Sequence, residues 1–120
     1  MNYVYIGRYE NDMESLSTDG GGEKGIIPAQ FVLQQNYPNP FNPVTHITYN
    51  IPKEVHINLS IYDILGRKVV TLKNGVETVG NKSISWNGLN SKGEIVGAGM
   101  YFYRFDAGDF KQTKKMILLK

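Results

Sequence analysis

Three observations predict an all-β chain, folded as an antiparallel β-sandwich of about seven strands. The 120 residues include eight Tyr, thirteen Gly and five Pro, a composition of strands punctuated by turns. Apolar residues recur at every second position from Ile47 to Ile51, from Val55 to Ile61 and from Tyr101 to Phe105, the spacing that turns one strand face into a core. No segment carries the 3.6-residue apolar period of a helix.

The elements follow in order. Gln30 to Gln35 alternates, with Phe31 and Leu33 on one face, and reads as a short first strand. Asn36-Tyr37-Pro38-Asn39-Pro40-Phe41-Asn42-Pro43 comes next. Each proline lacks an N–H and pushes the residue before it toward extended geometry. The segment is therefore expected to be a stiff, extended corner with Tyr37 and Phe41 as aromatic anchors. Thr45 to Pro52 and Val55 to Tyr62 alternate cleanly, with Ile47, Tyr49, Ile51, Val55, Ile57, Leu59 and Ile61 inward. Asp63-Ile64-Leu65-Gly66 suits a type I turn closed by a left-handed residue, returning through a strand from Arg67 to Leu72. Asn74-Gly75 and Gly80-Asn81 are expected to flank a loop before a strand from Lys82 to Trp86. Trp86, the only tryptophan, is the natural centre of the core. Residues 87–99 are turn-rich. Met100 to Asp106 and Phe110 to Leu119 close the domain as a hairpin through Ala107-Gly108-Asp109. Seven short strands with turn signals between them point to immunoglobulin-like topology, which favours a crossing between sheets at Val55 over a hairpin.

The length and a hydrophobic content of 41% suit one small domain. Residues 1–28 read as a linker or the tail of a preceding domain, and residues 29–120 as the folded unit. Met1 to Gly7 lacks the charged and long apolar regions of a secretory leader. The chain is thus expected to begin inside a longer protein, with residues 3–6 ending a preceding strand and residues 15–25 a flexible linker around Gly20-Gly21-Gly22. No window is apolar enough for a membrane helix. With no cysteine, neither a disulfide nor a Cys-based zinc site exists. The net charge of +2 is uneven: residues 1–25 hold five acids against Arg8 and Lys24, and the remainder carries +5. That excess reads as a solvated face, since no basic cluster is interleaved with stacking aromatics, and nucleic acid is not an expected partner.

No catalytic constellation stands out, and no cofactor is expected. His46 and His56 fall on outward strand faces, and Asp63, Glu94, Asp106 and Asp109 lie in or beside turns, where Asp bonds its own backbone. The loop oxygens leave calcium open, without EF-hand spacing. No strand–GxGxxG–helix unit is present. Tyr101, Tyr103 and Phe105 share one face, read as core, with a sugar-stacking platform as the alternative. The end of the chain, Lys114-Lys115-Met116-Ile117-Leu118-Leu119-Lys120, places four successive apolar residues between lysines. Such a strand is either buried on both faces or keeps one face for a partner, a second copy of the chain included.

Four segments together resemble one known family. They run from Phe31 to Pro43, from Ile61 to Arg67 (Ile-Tyr-Asp-Ile-Leu-Gly-Arg), from Gly99 to Arg104 (Gly-Met-Tyr-Phe-Tyr-Arg), and from Lys114 to Lys120. Their order and spacing are similar to the type IX secretion system C-terminal sorting domain, type A, which is related to the immunoglobulin-like domain of flagellar hook-capping proteins. Pro38, Asn39 and Pro40 match its first motif, Asp63 and Gly66 its second, and Gly99 and Tyr101 its third. Lys115, Met116, Ile117, Leu118, Leu119 and Lys120 match the terminal motif that such domains need for export. The resemblance implies a non-catalytic label at the C-terminal end of a secreted cargo. The cargo passes through the periplasm, an outer-membrane translocon recognises the label, and a sortase-like peptidase removes it as the cargo is attached at the cell surface or released. Partners would be that machinery and a cargo domain ahead of this chain. The peptidase would cut between Ser15 and Ile27, where the backbone is expected to be accessible. A structural or adhesive module of hook-capping type and a carbohydrate-binding module are the alternatives.

Overall fold

The computed structural model describes residues 29–119. The expected linker, the strand at residues 3–6, the expected cleavage segment and Lys120 lie outside the described residues. Seven strands form: β1 (Val32–Leu33), β2 (Thr45–Ile51), β3 (Val55–Tyr62), β4 (Lys68–Glu77), β5 (Gly80–Trp86), β6 (Gly99–Ala107) and β7 (Phe110–Leu118). They make one sheet ordered β1-β2-β5 and another ordered β4-β3-β6-β7. Every strand pair is antiparallel. The chain changes sheet between β2 and β3, again between β4 and β5, and again between β5 and β6, as an immunoglobulin-like sandwich requires.

Alternation accounts for the core. Ile47, Tyr49 and Ile51 from one sheet face Ile57, Leu59, Ile61, Tyr103 and Phe105 from the other, all buried. Burying side chains of this size is the main source of stability, at roughly 1.5–3 kcal/mol each. Trp86 sits at one end of the core, 5.7 Å from Phe41 and 5.4 Å from Tyr101 between ring centres. Its indole N–H donates to the Leu89 carbonyl at 2.9 Å, so the polar tip of the ring is satisfied. At the opposite end Phe31 stacks on Phe110 at 5.6 Å.

Three expectations need correction. Tyr37 is no anchor: it is 80% exposed, and only Phe41 enters the core. The residue turned inward is its neighbour Asn36, because Tyr37 is held flat by paired backbone bonds with His46, both 2.9 Å. The three X–Pro bonds of the corner are cis. The loop expected at Asn74-Gly75 does not form, since β3 offers a continuous partner and β4 runs through these residues, pairing Asn58 with Asn74 and Ile57 with Gly75. Only Thr78 and Val79 separate β4 from β5. The first strand shrinks to two residues as the chain leaves the ladder for the corner.

A buried polar network ties the corner to both sheets. The Tyr103 hydroxyl donates to the Gln34 carbonyl at 2.7 Å and accepts the Asn36 N–H at 2.8 Å. Asn36 Nδ2 donates to Thr45 Oγ1 at 2.9 Å and to the Pro38 carbonyl at 3.2 Å, and Thr45 Oγ1 donates to the same carbonyl at 2.8 Å. Each member finds a partner, as buried polar groups must.

Tyr103→Phe leaves the Gln34 carbonyl and the Asn36 N–H unpaired and should destabilise the fold by about 1–3 kcal/mol, read by Trp86 fluorescence in urea. Burial, partly opposed by the Asn36 N–H bond, pushes the Tyr103 hydroxyl from 10.0 up to about 12. A raised pKa favours the native state below the unfolded value and loses that advantage as pH climbs from 10.0 toward about 12. Stability of the native chain should fall by about 1.4 kcal/mol more per pH unit in that window than stability of the Phe variant.

Candidate functional site

The residues singled out by sequence collect at one end of the sandwich. Cross-strand register aligns Tyr62 of β3 with Phe102 of β6, and Phe102 with Lys115 of β7. The Asp63–Gly66 turn, the start of β6 at Gly99 and the end of β7 therefore share a pole. The proline corner joins them, since Phe41 bridges Leu118. The chain enters the domain at the other pole, where Phe31 meets Phe110.

The corner clasps the outer edge of β7. Ile117 donates its N–H to Asn39 Oδ1 at 3.0 Å and accepts the Phe41 N–H at 3.0 Å. Leu119 N–H donates to the Phe41 carbonyl at 2.8 Å, and Gln35 Nε2 donates to the Lys115 carbonyl at 2.8 Å. β7 is an edge strand whose outward backbone groups would otherwise invite another strand. The Lys115 carbonyl, both backbone groups of Ile117 and the Leu119 N–H are already used; among the described residues the edge is open around Lys111 and Thr113 and at the Lys115 N–H.

The second and third motifs shape the same pole. Asp63 Oδ1 accepts the N–H groups of Leu65 and Arg67 at 2.9 and 3.0 Å, and Oδ2 accepts Arg67 Nε at 2.9 Å. The Arg67 backbone bond, helped by the Leu65 bond and the guanidinium, holds this carboxyl below its usual range. Gly66 closes the turn at φ 83°, a left-handed geometry costly for a side chain. Gly99 opens β6 at φ 145°, again in the range that L side chains rarely adopt. Tyr101 packs on Trp86 and donates to the Gly97 carbonyl at 2.6 Å; burial first, and the Asp63 charge second, raise its pKa. Pro38 supplies the carbonyl taken by Asn36 and Thr45, and Pro40 links the two residues that bond β7.

The terminal motif divides by face. Met116 and Leu118 are buried, while Ile117 and Leu119 are 38% and 49% exposed. On the folded domain Lys115, Ile117 and Leu119 are at the surface, and the two core residues are not. An apolar recess of about 280 Å³ opens beside Leu118 and Leu119, walled by Pro43, Leu89 and Ile95. The aromatic row Tyr101, Tyr103 and Phe105 is inside the core, so it offers no sugar platform. His46 and His56 are exposed, as expected. Among the described residues no three His, Asp or Glu side chains converge on a metal position. Sequence reasoning missed the clasp: Asn39 and Ile117 are 78 residues apart, and no local pattern links them.

Asn39→Ala removes the acceptor for the Ile117 N–H. Hydrogen exchange at Ile117 should quicken by about five- to tenfold, the equivalent of one net hydrogen bond, while Asn39→Asp, which keeps the oxygen, should stay near the native rate.

Comparison with known proteins agrees with this architecture. PorU from Porphyromonas gingivalis, solved as a latent dimer, is similar with a TM-score of 0.61 and 24% identity, over 79% of this chain and 10% of that one. PorZ of the same bacterium, an essential surface component of its type IX secretion system, is similar with a TM-score of 0.52 and 19% identity, over 75% of this chain and 11% of that one. The chain thus spans about a tenth of those proteins, and at these identities the likeness is one of fold. No curated protein matches the chain. The secretion-system C-terminal sorting domain family matches residues 35–119, most of the chain and every strand from β2 onward. With the corner, the turn, β6 and β7 in one matched unit, the chain belongs to the type IX C-terminal sorting domain family.

Proposed function

We propose that residues 29–120 are a non-catalytic address label. In this reading the label directs a cargo joined through residues 1–28 to the type IX outer-membrane translocon. The cargo then reaches the cell surface or the medium, and a sortase-like peptidase cuts within residues 15–27. The family match over residues 35–119 carries this reading. A folded label suits the geometry: the pole that gathers the motifs lies opposite the point where the chain enters, so cargo and machinery would not compete for the same surface.

Deleting Lys115 to Lys120 is a poor test by itself, because it pulls Met116 and Leu118 out of the core and unclasps the corner. Losing two buried side chains of this size costs roughly 4–10 kcal/mol, enough to unfold a small domain. A cleaner test places the whole chain behind a fluorescent reporter with an export signal, in a host with type IX machinery. The reporter alone and the Tyr103→Phe chain serve as controls for routing and for reduced stability. The full fusion should reach the surface or medium while the bare reporter stays in the periplasm. A folded fusion trapped in the periplasm would refute the sorting role and favour a structural module.

A further inference from the structure

Because Gln35, Asn39 and Phe41 occupy most of the outward backbone groups of β7 between Lys115 and Leu119, this stretch has mainly side chains left to offer. On the outer face of the four-stranded sheet the register runs Lys68, Tyr62, Phe102, Lys115, one residue from each strand. One rung nearer the pole, Met100 pairs with Ile117. Met100 is 39% exposed, similar to Ile117, and Leu119 continues the same face two residues on. Exposed Ile64 shares a recess of about 310 Å³ with Phe102 and Tyr62. A continuous apolar strip therefore crosses from the Asp63–Gly66 turn over β6 to the end of β7. Single exposed apolar residues are ordinary; a contiguous strip assembled from three separate segments marks an interaction surface.

The rim of the strip is cationic. Lys68 and Lys115 stand at its two sides and have no ion pair among the described residues. The nearby carboxylates are engaged: Asp106 with Arg104 at 3.2 Å and Lys111 at 3.9 Å, and Asp63 with Arg67 at 2.9 Å. Opposite charge at a rim speeds docking and fixes orientation, while the apolar centre supplies affinity.

We infer that this strip is where the export machinery grips the folded domain, through side chains and not by strand addition, and that the gripping protein presents an apolar centre with carboxylates around it. The inference rests on the sorting role proposed above.

The same reporter fusion of the whole chain tests it with four variants, each checked for folding by Trp86 fluorescence. Met100→Ser combined with Ile117→Ser, and Lys115→Glu alone, should each cut export at least tenfold. Lys115→Arg, which keeps the rim charge, should recover most of the export that Lys115→Glu loses. Lys111→Pro, which blocks the open stretch of the β7 edge without removing a bond to β6, should also export normally. Normal export of the folded Ser double variant overturns the inference, as does selective loss with Lys111→Pro, which would mean strand addition. A native chain that sediments as a dimer, with the double variant monomeric and still exported, would assign the strip to self-association and overturn the inference too. If the native fusion itself is not exported, the sorting role fails first, an outcome distinct from all of these.

Discussion

The bonds between the proline corner and the edge of β7 are the constraint on which the rest of this structure depends. They join residues far apart in sequence, and they do so at the point where a small sandwich is weakest. An edge strand with free N–H and C=O groups is prone to pair with any passing strand. Here Asn39 and Phe41 occupy those groups, and Phe41 is itself fixed by its ring against Trp86. The corner can hold that position because its inner side is a polar network, with Asn36, Thr45 and the Tyr103 hydroxyl satisfying one another in the buried interior. Clasp and network are two sides of one element.

Seen this way, the residues by which the family is recognised are mostly builders of the pole. Asp63 and Gly66 make a turn, Gly99 admits a backbone geometry, Tyr101 braces Trp86, and Pro38 and Asn39 shape the clasp. What they build is a surface on which Lys115, Ile117 and Leu119 are displayed in fixed positions. Fixing these side chains before a partner arrives reduces the ordering that binding must otherwise impose.

Much of this could be read from the sequence because strand alternation is a local signal. Ile47, Tyr49 and Ile51, and likewise Ile57, Leu59 and Ile61, enter the core where the period of two puts them. The Asp63–Gly66 turn is equally local, its residues bonding one another within five positions. The misreadings have a common cause. Asn74-Gly75 carries turn chemistry, but β3 lies alongside and draws it into a ladder. Tyr37 is large and apolar enough to anchor, yet its pairing with His46 turns Asn36 inward instead. Ser60 is buried on the face expected to be outward, paired with Asn58 and Thr71 side chains. In each case a tertiary neighbour outweighs a local preference, and one sequence does not display its neighbours. The motifs could be noted one by one; their convergence on a single pole required the register of β3, β6 and β7.

The placement of Phe31 against Phe110 has a consequence for what can be attached ahead of the domain. The chain enters at one end of strands β2 and β7, while the clasp and the apolar strip sit at the other. β7 is nine residues long, so at about 3.4 Å per residue the two ends stand roughly 30 Å apart. A bulky neighbour tethered before Gln30 would hang from the far end like a weight from a hook, and its size and shape would leave the hook's tip uncovered. One tag geometry would then serve passengers with nothing else in common.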